Sequence, residues 1–118
     1  MQQQDRVIHD LRVRIVSDES PTRIGKDIRS LILRRIDTAN PLSDQTKGRL
    51  ISAISALDTA SSTRGAELTR SRLSSALLHL QLSLTDRALP GRESGYPDEI
   101  LGALSREMLR DAVRKLAS

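Results

Sequence analysis

The chain contains no cysteine, tryptophan or phenylalanine, and Tyr96 is its only tyrosine. Without cysteine it can form no disulfide, no thiolate zinc site and no thiol nucleophile. With Tyr96 as its only aromatic ring, it lacks the sets of base-stacking platforms of many single-strand binders and the Trp and Tyr anchors that dominate many protein interfaces. The core must therefore be aliphatic, and recognition must rely on other side chains, above all arginine.

Long uncharged segments are also missing. The longest stretch without a charged side chain runs from residue 73 to 85 and includes several polar residues. It is too short and too polar to cross a bilayer. The N-terminal segment MQQQDRVIHD is polar and charged, unlike a secretory leader. We therefore expect a soluble, cytoplasmic protein with no membrane span, and its length of 118 residues predicts a single domain over residues 1–118.

The strongest pattern is a leucine-rich segment from about residue 66 to 89. Leucines recur there at spacings of four, three and four, which places them on one side of a helix: Leu73, Leu77, Leu80 and Leu84. Leu78 and Leu82 add apolar surface on a second side. A helix that is apolar nearly all round is normally covered by several neighbours. The segment therefore predicts the central helix of a bundle.

Four further segments have apolar residues at helical spacing, at about residues 3–16, 21–38, 43–59 and 97–117. Residues 11–15 also alternate between apolar and charged, as a strand would, but the helical spacing covers a longer window. Pro21 and Asn40-Pro41 mark the two ends of the second helix. The sequence thus predicts an all-α fold, a compact four- to five-helix antiparallel bundle around the central helix.

Two of these helices have a defined apolar stripe that we expect to be buried. In the second helix the stripe consists of Ile24, Ile28, Leu31, Ile32 and Ile36. In the last helix it consists of Leu101, Leu104, Met108, Ala112 and Leu116.

Basic side chains recur at helical spacing on the outer face of each of these two helices. The chain has a formal net charge of +4, with 19 Lys and Arg residues against 15 Asp and Glu. The two groups at helical spacing are Arg23, Lys26 and Arg34 on the second helix and Arg106, Arg110 and Arg114 on the last. Guanidinium forks suit carboxylates and phosphates, so each group is a candidate dock for an acidic protein or for nucleic acid. An ordinary solvated face is the alternative.

Two further residues are candidate contacts with a partner. Leu33 lies away from the apolar stripe of the second helix, and an apolar residue outside the buried face indicates association with another protein or a second copy. Scattered apolar surface residues are also common. Tyr96 lies in the loop over residues 90–97, which is rich in Pro and Gly.

The sequence offers little catalytic chemistry. His9 and His79 are far apart, and neither lies in a metal-ligand pattern such as His-Glu-x-x-His. We expect His79 to be a structural histidine with a hydrogen-bond partner. Gly25-Lys26 lacks the preceding glycine and strand of a phosphate-binding loop. We therefore expect no enzyme, no cofactor, no metal site and no small-molecule substrate.

Together these patterns favour a small non-enzymatic protein–protein interaction module. Such a basic helical bundle would act as an adaptor, a regulator or an assembly subunit that binds another protein or forms a homo-oligomer. The alternative is a nucleic-acid-associated helical protein that contacts phosphates through the basic face of the second helix.

Overall fold

Apolar residues at helical spacing form six α-helices and no strand within residues 2–85 and 97–116, the part of the chain that this computed structural model describes. The helices are α1 (Gln2–Ile15), α2 (Pro21–Thr38), α3 (Asp44–Ser62), α4 (Ala66–Thr85), α5 (Asp98–Ala103) and α6 (Arg106–Arg114). Residues 11–15 are helical, as the longer periodicity predicts. The predicted end of α4 at residue 89 lies outside the described residues.

Helix α2 begins and ends at the predicted residues. Pro21 occupies the first turn, where its missing N–H has no intrahelical partner to lose. The side chain of Ser20 makes no capping hydrogen bond. The four isoleucines of the predicted stripe are fully buried, at 0 % exposure: Ile24, Ile28, Ile32 and Ile36. Leu31, the fifth member, is only half-buried.

Helices α3 and α4 form an antiparallel hairpin and make the most extensive contact between any two helices of the described chain. Their buried positions include small residues, among them Gly48, Ala53 and Ala76. Small side chains let two helix backbones approach closely. The turn between the helices contains Gly65, whose φ of 93° lies in the left-handed region that favours glycine.

Helix α4 is central to the bundle, because it packs against α1, α2 and α3. Leu73, Leu77 and Leu80 are buried against these neighbours, at 2 % exposure or less. The expectation that α4 is covered nearly all round is wrong, since Leu78 is 46 % exposed. The neighbouring helices cover one side of α4, and its other side faces solvent.

The last predicted helix is divided in two. The chain is extended at Leu104 and Ser105, and the Ser105 hydroxyl accepts a hydrogen bond from the Met108 amide at 3.1 Å, which caps the start of α6. The new start changes which face of the helix meets the core. Met108, predicted to be buried, is 49 % exposed, whereas Leu109 and Val113 are buried.

The other predicted core positions of this segment have mixed outcomes. Leu101 and Leu116 are buried as predicted, and Leu104 and Ala112 are half-buried. Among the described residues, no helix has the length and apolar character needed to cross a membrane.

The two neighbouring leucines of α4 provide a direct test of this packing. Leu77→Ala removes a side chain with 0 % exposure and leaves a cavity, so we expect the free energy of unfolding to fall by about 3 kcal/mol. Leu78→Ala, at a position that is 46 % exposed, is the matched control and is expected to cost less than about 1 kcal/mol. Urea denaturation followed by circular dichroism measures both. Equal losses would contradict the assigned orientation of α4.

Candidate partner-binding surface on helix α2

The outer face of α2 carries three exposed cations, Arg23, Lys26 and Arg34, which we call the α2 strip. Helical geometry places them along one face over about 16 Å, since each residue advances the helix by 1.5 Å. Within residues 2–85 and 97–116, their side chains form no hydrogen bond and no ion pair. The predicted basic face is therefore present, and its charges are available to a partner.

Two aspartates on the same side of α2 are neutralised by arginines from neighbouring helices. The Asp27 carboxylate lies 2.7 Å from Nη1 of Arg14 in α1. The Asp37 carboxylate lies 2.5 Å from Nε of Arg110 in α6. Because these acids are already paired, they compensate little of the charge of the strip. The outer face of α2 therefore keeps a net positive charge.

Arg14 also fixes the turn that leads into α2. Its guanidinium forms a two-pronged contact with the Glu19 carboxylate, with Nε 2.9 Å from Oε1. The hydrogen bond from Arg14 lowers the pKa of the Glu19 carboxyl below its ordinary value, and the charges of Arg14 and Arg23 act in the same direction. The ion pair links α1 to the start of α2, where the strip begins.

The predicted arginine group of the last helix does not form a free stripe. Arg106 donates to the carbonyls of Ile36 and Ala39, the second at 2.9 Å, and so caps the end of α2. Arg110 is engaged with Asp37. Arg114 has a side chain that is 63 % exposed and forms a pair with Asp111 at 3.1 Å. Two of the three arginines thus hold α6 against α2.

The two uncharged candidates have different outcomes. Leu33 is half-buried and packs against the core. The expectation that it lies outside the buried face of α2 is therefore wrong. The reason is that α2 contacts four helices, α1, α3, α4 and α6, and its buried arc is wider than the isoleucine stripe. Tyr96 lies outside the described residues.

A shallow cleft between α1 and α2 borders the strip at Arg34. It has a volume of about 360 Å³. Its apolar wall consists of Val7, Leu11 and Leu31, and Arg34 lies at its edge together with the aspartates Asp10 and Asp27. Apolar surface beside a free guanidinium matches a partner that presents an aliphatic and an acidic side chain together. Sequence reasoning missed this cleft because its two walls come from different helices.

Arg70 of α4 is a second feature that the sequence does not reveal. Its guanidinium donates to the backbone carbonyls of Ile15 at 2.5 Å and Glu19 at 3.0 Å. These bonds satisfy carbonyls at the end of α1 and hold the α1–α2 turn on the body of the bundle. In the sequence, Arg70 is only another charge near the start of a helix.

His79 is half-buried, and its Nδ1 atom has no hydrogen-bond partner among the described residues, contrary to the expected pairing. Burial lowers the pKa of the imidazole below its ordinary value, and the nearby charge of Arg49 lowers it further. His79 is therefore held in its neutral form near pH 7. In the described part of the chain, no group of three or more His, Asp or Glu residues is placed to hold a metal ion.

No protein-family model, curated protein or solved structure matches the chain. On the surface of the described residues, the α2 strip and its adjoining cleft combine unpaired cations with apolar side chains.

The different environments of Arg106 and Arg114 in α6 lead to a stability prediction. Arg106→Gln removes the cap on α2 and leaves two carbonyls without their donor, so we expect a loss of about 1–3 kcal/mol in the free energy of unfolding. Arg114→Gln removes only an exposed pair and should change it by less than about 0.5 kcal/mol. Chemical denaturation of both variants tests the difference, and similar losses would contradict the capping role of Arg106.

The environment of His79 leads to a prediction about pH. The pKa of His79 in the folded protein lies below the value of about 6.5 in the unfolded chain. As the pH falls below about 6.5, the unfolded chain therefore binds more protons than the folded protein, and the free energy of unfolding decreases. We expect NMR titration to give His79 a pKa below 6.5 and Arg49→Gln to raise it part of the way. Arg72→Gln, an exposed substitution on α4, is the control. A His79 pKa unaffected by Arg49→Gln would contradict the electrostatic contribution of Arg49.

Proposed function

We propose that this protein is a non-enzymatic interaction module that binds a partner protein through the α2 strip and the cleft beside it. The observation that carries the proposal is the combination of free cations with half-buried apolar side chains on one face. Arg23, Lys26 and Arg34 have no acidic partner among the described residues, and the cleft next to Arg34 offers Val7 and Leu31. An adaptor, regulator or assembly subunit would use such a surface.

The partner that fits this surface presents carboxylates flanked by aliphatic side chains. A carboxylate accepts a charge-assisted, two-pronged contact from arginine, and this geometry supplies specificity as well as attraction. An aliphatic side chain gains by leaving water for the cleft wall. One acidic amphipathic helix combines both groups at helical spacing.

Nucleic acid is the second candidate, because the same cations would neutralise phosphates. The free arginines of the strip favour it, since guanidinium binds phosphate as readily as carboxylate. The cleft favours a protein, because its wall of Val7 and Leu31 is stabilised when an aliphatic side chain covers it, and a sugar–phosphate backbone presents no such side chain. We therefore rank an acidic protein first.

The test compares three labelled probes by fluorescence anisotropy. The first is a 16-residue amphipathic helical peptide of Glu, Leu and Ala, the second is the same peptide with every Leu replaced by Ser, and the third is random-sequence DNA or RNA. We expect the leucine-containing peptide to bind the protein about tenfold more tightly than its serine counterpart, because only the first can use the cleft. Nucleic-acid binding that is tighter than peptide binding and falls steeply with salt would favour the second candidate instead.

A charge-reversal pair locates the binding surface. Arg23→Glu combined with Arg34→Glu should weaken peptide binding by about tenfold or more, since it replaces attraction by repulsion at both ends of the strip. Arg64→Glu combined with Arg72→Glu changes the net charge equally at two exposed sites on α4 and the turn before it, and should have little effect. Unchanged circular dichroism confirms folding in both cases. Equal weakening by the two pairs would show that net charge, and not the α2 strip, governs binding.

A further inference from the structure

A second cavity lies at the end of the bundle where α2 and α4 begin and α3 ends. Its volume is about 350 Å³, at the lower end of the range of small-molecule sites. Leu57, Leu73 and Leu116 supply its apolar surface, and Gly25 of α2 forms part of one wall. We call it the Gly25 groove. It is separate from the cleft beside Arg34, and no residue lines both.

Gly25 leaves space that another residue would fill. A Cβ atom at this position would lie 3.7 Å from Leu57 Cδ1 and 3.7 Å from Leu73 Cδ2, which are ordinary van der Waals distances. Alanine would therefore fit, and inside a helix it is more favourable than glycine. Neither packing nor backbone conformation requires glycine here. Because Gly25 has no side chain, the wall is open at this point, and a ligand can reach Leu57 and Leu73 there.

Among the described residues, the charged side chains of the groove are all positive. Of the fourteen residues that line it, Lys26 and Arg29 are positively charged and none is acidic. Arg29 is half-buried, and its Nη2 donates to the carbonyl of Arg114 at 3.3 Å, which holds the guanidinium at the rim and leaves other N–H groups for a ligand. Lys26 lies one turn earlier on the same helix.

We propose that the Gly25 groove binds a small anion with a short aliphatic tail, such as a monocarboxylate of about eight carbons. The tail would replace water against Leu57, Leu73 and Leu116, and the carboxylate would accept hydrogen bonds from Lys26 and Arg29. Apart from Lys26 and Arg29, the described lining consists of aliphatic side chains, a few hydroxyls and glycine backbone, so no aromatic side chain is present there to stack on an aromatic ligand.

This site is independent of the partner-binding proposal. Lys26 belongs to both surfaces, but Arg23 and Arg34 do not line the groove. The pair Arg23→Glu with Arg34→Glu should therefore leave ligand binding in the groove almost unchanged. Failure of the partner proposal would not affect the groove, and the two proposals can be tested separately.

Titration with sodium octanoate, followed by two-dimensional amide NMR of the full chain, tests the site. We expect saturable shifts at groove residues such as Gly65, Thr69 and Leu73, complete below about 5 mM ligand. Acetate supplies only the carboxylate, and 1-octanol supplies only the tail. Each should therefore bind at least about tenfold more weakly than octanoate. Shifts scattered over the surface, or equal affinity for octanol, would overturn the proposal.

Two variants probe the groove from different directions. Gly25→Met places a side chain in the open wall without changing the charge, and should weaken octanoate binding by about tenfold or more. Gly102→Met on α5 is the control, because nothing lies within 4 Å of a Cβ atom added there. Lys26→Gln with Arg29→Gln removes both cations and should also weaken binding about tenfold. If Gly25→Met does not fold, as judged by circular dichroism, the neutralised pair decides. Wild-type affinity in the neutralised pair would overturn the proposal.

Discussion

The structure depends on close aliphatic packing between α4 and the three helices that surround its leucine stripe. With no Phe or Trp in the chain, no single large side chain anchors the core, and many Leu and Ile contacts must do so together. The most extensive of these contacts within the described chain is the α3–α4 hairpin, where small residues such as Ala53 and Ala76 lie in the buried faces. Helices α1, α2 and α6 then complete the bundle around this hairpin and the isoleucine stripe of α2.

Arginine has two distinct roles in this protein. One set binds backbone carbonyls of distant helices: Arg70 holds the end of α1, Arg35 donates to Ser83 near the end of α4, and Arg106 holds the end of α2. Carbonyls at the ends of α1 and α2 lack an intrahelical donor, and the long planar side chain reaches them from a neighbouring element. The second set, represented by Arg23 and Arg34, extends into solvent from α2.

The two proposed sites lie on different parts of α2. The strip and its cleft lie toward α1, where Arg34 borders Val7 and Leu31. The Gly25 groove lies toward α3 and α4 at the start of the helix. Lys26 is shared between them, so a ligand in the groove would neutralise one cation of the strip.

The sequence by itself determined the all-α class, the bounds of α2 and the exposure of Arg23, Lys26 and Arg34, because helical periodicity and proline positions are local properties. Only the tertiary structure decided the roles of Arg106, Leu33 and His79. The Ser105 cap resets the register of α6, and this turns Arg106 toward the carbonyls at the end of α2. Both candidate sites have walls from helices distant in sequence, and such a juxtaposition depends on packing that no local pattern encodes.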